Sequence, residues 1–550
     1  MKRIMPTMRN VLLGAAAAAM FVTTTYGQQS ILGPPSEANH FIETPKGWVH
    51  PKTPWGEPDI QAMLNMMQAN SLTLERCAGG GRGGGAPCDV NKAWRTKEEY
   101  DQSLAVAAKR VDQGRALIEQ GNFGRALLSG VTDPNLPQRQ TSLIVDPPNG
   151  QLPPLTAEGK RRGLAMGSSW ALPAEDPVYE DPLDFDFWDN CRTRGMPSSM
   201  MPYRYNGGFQ IMQAPGVVVF NLEMIHDARI IYTDGRPGIG SPIKEYMGES
   251  RGHWEGNTLV VETTNYKEGP PLINLAVPGS PAGNRFAVSD KMKTTEKITR
   301  LNNDTWLYEV KTEDPVVLTR PFTVRYPMRN DPSYEWWEYA CHEGNSIIQN
   351  YSQTNKHERE NPPVEPPVRT AKLTPEATNA LAGRWTGKPE VDTVDYNVFL
   401  EFTKNADGTV QGKLVGTDLK TFRGKVKPTV NKALRDFRVA CVGGAGGGGG
   451  RAGGGGGAPG GGGAPGGGGA PGGGGAPGGG GGRGAGAPGL AGGAPQGPST
   501  CEQPGPVQLT FELPNTQPWT FAGQLSADGS SITGSFSSAQ GGVPVTFKKQ

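Results

Sequence analysis

The stretch KMKTTEKITRLNNDTWLYEVK, residues 291–311, decides the fold class. Lys291–Arg300 and Thr305–Lys311 are rich in β-branched and aromatic residues, and Asn302, Asn303 and Asp304 between them supply turn chemistry. In the second half Trp306, Tyr308 and Val310 alternate with Leu307, Glu309 and Lys311, a period of two that gives a strand one apolar face. The stretch therefore predicts a hairpin with one side on a core. The same pattern recurs at 217–222, 228–233, 258–264 and 321–326, with Asp234-Gly235 as a turn and Gly256-Asn257 as a two-residue loop led by glycine. Successive hairpins of this kind predict an antiparallel β-sandwich or barrel, placed in a central domain at 141–350.

A second β unit is expected at 379–550. It starts at Leu381-Ala382-Gly383-Arg384-Trp385, alternates through Val398, Leu400 and Phe402, and resumes at Val507, Leu509, Phe511 and Leu513. About eight strands suit a small up-and-down barrel, similar in outline to lipocalin-like domains. Residues 443–493 repeat GGGGAP, which buries no apolar surface, and read as a disordered loop inserted in that barrel. Polar, Pro-rich residues 351–378 read as a linker. Residues 28–140 read as an extended surface lead-in followed by a helix: Thr96-Lys97-Glu98-Glu99 is a capping box, and Tyr100, Leu104, Ala107, Val111 and Ile118 predict a face packed on a core. The fold class is mainly β with minor α.

The chain opens with Lys2, Arg3 and Arg9, an apolar run from Val11 to Val22, and small residues Thr25 and Gly27, the pattern of a signal peptide over 1–27 cut before Gln28. That predicts a periplasmic or secreted protein with no integral membrane span in the mature chain. Losing three of the 54 Lys and Arg leaves 51 against 53 acidic residues. So near-neutral a chain, without a basic stripe, excludes a nucleic-acid partner and a polybasic membrane contact.

All six cysteines follow the signal and are free to pair in an oxidising compartment. Cys77 and Cys88 bracket one Gly-rich segment and Cys441 and Cys501 bracket the long one, natural places for a staple; Cys191 and Cys341 remain as the third pair. Free thiols are the alternative.

Polar residues crowd two stretches: His226, Asp227, Arg229, Asp234, Arg236, Glu249, Arg251, His253 and Glu255, then Glu338, Cys341, His342 and Glu343. On a strand His253 and Glu255 share a face and could pair acid with base, yet two ligands do not make a metal site, and charged residues on a solvated hairpin have the same pattern. Asp227 and Arg229 also fit a strand end, one accepting turn amides and the other pairing with a carboxylate. Tyr334-Glu335-Trp336-Trp337-Glu338-Tyr339 invites a sugar-stacking reading, but as a strand it splits its aromatics between two faces. No nucleophile elbow, phosphate loop or dinucleotide fingerprint occurs, and no cofactor or metal is expected.

The segments TSLIVDPPNGQLPPLTAEGKRR (141–162), CRTRGMP (191–197), EMIHDARIIYTDGRP (223–237), GESRGHWEGNTLVVETTNY (248–266) and EYACHEGN (338–345) together resemble a family of secreted bacterial proteins of uncharacterised function. The resemblance covers about 140–350 and implies no reaction. Where that pattern commonly has Arg, this chain has His253; where it tends to have His after Asp-Gly-Arg-Pro, this chain has Gly238-Ile239. The expectation is an exported binding or envelope-associated protein with a small molecule or glycan as ligand, its partners unknown. A secreted hydrolase of glycans or esters is the alternative, with Asp234, Glu249 or Glu255 as acid or base and Arg236 or Arg251 steadying negative charge. A third reading gives a small apolar ligand to the C-terminal barrel.

Overall fold

A computed structural model of the chain describes residues 37–69, 71–78, 88–121, 137–167, 172–175, 179–203, 206–240, 242–273, 277–281, 285–361, 371–419, 438–441, 507–512, 519–538 and 541–550. The signal segment, the glycine tract 443–493 and the proposed Cys441–Cys501 pairing lie outside the described residues.

The protein is mainly β, built on two curled sheets. The first has ten strands: β1 (Ala62–Asn65), β2 (Ile144–Asp146), β3 (Gly208–Ala214), β4 (Val217–Leu222), β5 (Ala228–Tyr232), β6 (Glu249–Glu255), β7 (Thr258–Thr264), β8 (Lys293–Arg300), β9 (Thr305–Glu313) and β10 (Phe322–Arg329). Their spatial order is β1-β3-β4-β5-β6-β7-β8-β9-β10-β2. The opening hairpin is β8–β9, in register from Lys293↔Glu313 to Arg300↔Trp306. Glu255 pairs with Thr258 across the two-residue loop, and Gly256 adopts φ 61°, a conformation L side chains disfavour. Neighbours are antiparallel except β5 and β6, joined in parallel through one register pair, Tyr232↔Arg251. The sheet bends until β1 meets the end of β10: Leu64 bridges Asn330, and the Met63 amide donates to Asn330 Oδ1 at 3.0 Å.

The buried face of this sheet carries aromatic and aliphatic residues, among them Phe209, Phe220, Trp306, Tyr308, Phe322 and Tyr326. A polar layer lies within it. Arg229 on β5 and Glu296 on β8 form an ion pair, each side chain 1% exposed, with Nη1 donating to Oε1 at 2.8 Å. Arg229 Nη2 also donates to Ser250 and Thr263 hydroxyls at 3.1 Å, and the Tyr308 hydroxyl donates to Glu296 at 2.7 Å. Burial works against the charged guanidinium, but the Glu296 carboxylate more than offsets it and holds Arg229 protonated.

The second sheet has nine strands: β11 (Ala371–Lys372), β12 (Gly383–Pro389), β13 (Val398–Lys404), β14 (Thr409–Thr417), β15 (Arg438–Cys441), β16 (Val507–Glu512), β17 (Thr520–Leu525), β18 (Ser531–Ser538) and β19 (Gly541–Lys549). Apart from β11 they follow an up-and-down meander in which β19 returns to pair with β12. Among the described residues no ladder joins β14 to β15, so the barrel-like sheet is open there. Its core, around Trp385, Trp519, Phe521, Phe536 and Phe547, also receives Leu172 from outside the sheet.

Among the described residues four α-helices accompany the sheets: α1 (Lys97–Glu119), α2 (Ala157–Ala165), α3 (Ile347–Glu360) and α4 (Pro375–Leu381). Helix α2 sits between the two sheets. A Cβ at Gly159 would come within 2.5 Å of the Val317 carbonyl, and one at Gly163 within 2.5 Å of the Arg285 carbonyl, so both positions need glycine for close approach. Lys160 pairs with Asp395 at 3.2 Å, and buried Arg285 pairs with Glu175 at 2.7 Å. The Tyr396 hydroxyl donates to the Pro173 carbonyl at 2.8 Å.

Several local expectations are corrected. The α1 capping box forms, with Glu99 N donating to Thr96 Oγ1 at 3.2 Å and Thr96 N donating to Glu99 Oε2 at 2.9 Å. Of the predicted stripe, Leu104 is exposed and Tyr100 and Ala107 are half-buried, while the side chains of Val111 and Ile118 lie outside what is described. Within 351–378, read as a linker, lie most of α3, β11 and the start of α4, with 362–370 outside the described residues. Because β1 lies at 62–65, the segments 28–140 and 141–350 share one sheet.

Glu296→Gln leaves Arg229 buried without a counter-charge and is expected to cost about 3–5 kcal/mol of stability. The double change Arg229→Met with Glu296→Leu should recover most of that loss, as read by urea denaturation; equal losses in both variants would show that the pair adds nothing specific.

Candidate functional site

The polar residues that crowd the sequence are mostly spent on each other. Asp234 is bound by Arg236 through several hydrogen bonds, one from Nε at 2.9 Å, and that pairing lowers its pKa. Glu249 accepts from the Ile239 amide and from Asn265, both at 2.7 Å, and pairs with Arg251. Arg251 also donates to the Ser250 and Pro237 carbonyls at 3.0 Å. Exposed Glu255 lies 3.4 Å from Lys297, which lowers its pKa, and 3.5 Å from His253. These residues occupy β6, the strand β8 one place beyond its partner β7, and the loop that precedes β6, the setting of a charged sheet surface.

The disulfide Cys191–Cys341 ties the segment 338–345 to the loop before β3, and Cys77–Cys88 closes the shorter Gly-rich segment. Around the first bond the Asn345 amide donates to the Asp189 carbonyl at 2.8 Å, and Trp188 Nε1 donates to the Tyr339 hydroxyl at 3.3 Å. His342 and Glu343 remain exposed there. Asp227 accepts from the Thr193 hydroxyl at 2.8 Å. Burial raises its carboxyl to about 6, against the lowering effect of Thr193 and Arg194. His226 is exposed at φ 55°, and among the described residues no hydrogen bond joins His226, Asp227 and His342. Residues 334–339 form no strand: the Tyr334 hydroxyl donates to fully buried Glu223, which also accepts from Asn206 at 2.6 Å, while Trp337 is exposed. Tyr334 is thus anchored on Glu223, directly after β4, and the aromatic run offers no single platform. Among the described residues no group of three or more His, Cys, Asp or Glu could hold a metal ion.

A cavity of about 310 Å³ lies elsewhere, at the rim where β8 turns into β9 and β10 ends. Its lining includes His40, Phe41, Gln68, Tyr100, Arg139 and Arg329. The segment carrying His40 is laid along the β8–β9 turn: Trp48 Nε1 donates to Asn303 Oδ1 at 2.9 Å, and Thr44 donates to the Leu301 carbonyl at 3.4 Å. His40 and Phe41 both take positive φ, 58° and 59°. Their rings meet Trp94 edge-on, with centroids 5.0 and 5.5 Å apart, and the Arg139 guanidinium lies 3.6 Å over Phe41. His40 is 6% exposed, and neither ring nitrogen has a hydrogen-bond partner. Burial, with Arg325 nearby, pushes its pKa down to about 3, so the ring is neutral.

This site was missed from sequence because 28–58 read only as a surface lead-in. Asn39, His40, His50 and Thr53 are buried in it. The available signal was His40-Phe41-Ile42, an apolar-flanked histidine among only six in the chain.

No family model matches the chain, and no curated protein matches it. A protein of unknown function from the DUF3598 family of Nostoc punctiforme is similar to it over 62% of this chain and 87% of that one, with 9% identity and a TM-score of 0.12, a likeness too slight to carry an argument.

The Asp227 carboxyl gives a signed pH dependence. Its folded pKa, about 6, lies above the ordinary aspartate value of 3.8. Between those values the folded state binds more protons than the unfolded one, so this group's contribution to stability falls as pH rises through the window. In Asp227→Asn that slope should vanish from pH-dependent denaturation curves. Thr193→Val should move the carboxyl midpoint upward in an NMR titration, and a midpoint near 4 in the unaltered protein would contradict the assignment.

Proposed function

We propose that the mature chain is an exported binding protein of the periplasm or the medium, and that the rim cavity holding His40 is its ligand site. The observation that carries this reading is a cavity of about 310 Å³ whose lining includes Phe41, Gln68, Tyr100, Arg139 and Arg329 and no carboxylate residue among the described residues. A concave site that gathers a few polar groups beside an aromatic wall is the usual form of a small-ligand site.

Export is supported by the two disulfides and by the signal-like opening of the sequence; among the described residues no helix is long and apolar enough to cross a membrane. The hydrolase alternative has less support. A general acid needs a raised pKa near working pH, whereas Asp234 and Glu255 are held low by cationic neighbours. Asp227 has the raised value, but its Thr193 partner and the strand-end setting also suit a structural carboxyl.

Native mass spectrometry of the protein purified from its own host should show a carried small molecule that is reduced or absent in His40→Phe. A parallel screen against chromogenic glycosides and esters should show no turnover. Turnover abolished by Asp227→Asn or Glu255→Gln would overturn the binding reading in favour of a hydrolase.

A further inference from the structure

We propose that the outer face of β3, β4 and β5, together with the loop that leads into β6, docks the protein on a lipid bilayer through apolar contact. An exported chain meets such a surface at the cell envelope.

The strand registers place the residues. On the side of these strands that faces away from the core, Met212 stands opposite Val219 and Val219 opposite Ile230, and the next row is Ala214, Val217 and Tyr232. The third row is Gln210, Asn221 and Ala228, so none of the three rows carries a charge. Met212 is 39% exposed and Ile230 is 52% exposed, whereas the solvated face of an antiparallel sheet is commonly polar. The other half of the same sheet keeps to that pattern: outward on β6 to β9 lie Glu255, Glu262, Lys293, Lys297, Glu309 and Lys311.

The loop after β5 is fixed against the same face. Arg251 donates to the Pro237 carbonyl at 3.0 Å, and the Ile239 amide donates to Glu249 at 2.7 Å. Both side chains are on the outward side of β6, where the register sets Arg251 beside Tyr232. Gly238 permits the close approach, since a Cβ there would lie 3.0 Å from Glu249 Oε1. The loop so held presents Ile239 and Ile243, 49% and 52% exposed, and residues 237–243 contain no charge. The paired Glu249 and Arg251, conspicuous in the sequence, thus hold in place a loop that carries two isoleucines in water. Exposed aliphatic residues gathered in one patch mark an interaction site.

Size, curvature and charge choose the occupant. A stable protein interface takes about 20–30 residues a side, several times what three short rows and a loop supply. The sheet curls around its core, so this outer face is convex, and two rigid convex faces meet only along a narrow strip. That disfavours a second copy of the chain. A bilayer is fluid and conforms to a convex surface. With no charge in the patch, contact takes no ion out of water and needs no anionic headgroup. At its edge the Arg236 guanidinium lies 4.0 Å over the Tyr232 ring, and amphipathic side chains of this kind suit headgroup depth.

The test is flotation of the full mature protein with vesicles of phosphatidylethanolamine and phosphatidylcholine. Binding should agree within twofold between about 50 mM and about 500 mM salt, because screening acts on charges and not on apolar contact. The double variant Ile239→Ser with Ile243→Ser should lower partitioning at least tenfold, and Ile230→Thr about threefold, while Lys297→Gln on the charged half of the sheet leaves it unchanged. Urea denaturation accompanies each variant; if Ile230→Thr proves unstable, the loop variant decides, since both its replaced side chains lie in water. No flotation, flotation lost at high salt, or flotation retained by the loop variant would overturn the proposal. A dimer in sedimentation velocity that Ile230→Thr dissociates would give the face to a second copy and overturn it too. None of these outcomes bears on the rim cavity, whose lining includes no residue of β3, β4 or β5.

Discussion

The ion pair between Arg229 and Glu296 constrains the first sheet more than any apolar contact in it. Taking two charges out of water is expensive, and the attraction between them repays that only when every remaining donor and acceptor is also met. Here all but the Arg229 Nε, which is buried without a partner, are met by groups from five strands: Arg229 on β5, Ser250 on β6, Thr263 on β7, Glu296 on β8 and Tyr308 on β9. A slip of one residue in any of these strands would turn its polar group to the opposite face. The apolar side chains of that strand would turn with it, and a guanidinium or carboxylate so displaced would leave its partner charge buried and uncompensated as well. The polar layer therefore makes one strand register much better than its neighbours, and the surrounding aromatic core packs on the arrangement so chosen.

What the chain reveals locally, it reveals well. The β8–β9 hairpin, the β6–β7 turn at Gly256 and the α1 capping box each depend on residues within a few positions of one another, and each forms where the pattern puts it. The parallel join of β5 to β6, the closure of β1 on Asn330, and the insertion of Leu172 into the second core depend on partners far away in sequence. No periodicity encodes those. Helix α1 shows the converse at Leu104: its spacing promised a buried position, but the side chain is exposed, because periodicity states what a face could bury and not whether a neighbour exists.

The site was less legible than the fold for a related reason. Asp234, Arg236, Glu249, Arg251 and Glu255 drew attention by density, yet charges crowded on one hairpin have each other as nearest partners and end up mutually satisfied. His40 sits in a Pro-rich segment with no strand or helix pattern. Its character comes from Trp94 and Arg139, about 50 and 100 positions later in the chain, which enclose its neighbourhood and leave its nitrogens without partners. An isolated residue becomes chemically distinctive only after folding removes its water.

The single register pair between β5 and β6 gives the first sheet an internal grain. On one side β1, β3, β4 and β5 form a meander; on the other β6 to β10 form a second, and each is held by long antiparallel ladders. Between them the backbone contributes almost nothing, and the Arg229 side chain reaches across to β6, β7 and β8. Along this line the sheet is two plates held by one rivet, and the plates meet again where β1 closes on Asn330. Local opening would begin along that line, with the amides flanking Tyr232 and Arg251 exchanging with solvent ahead of those in β7 to β9. A fold that looks continuous in its strand order would in that sense breathe as two cooperative units.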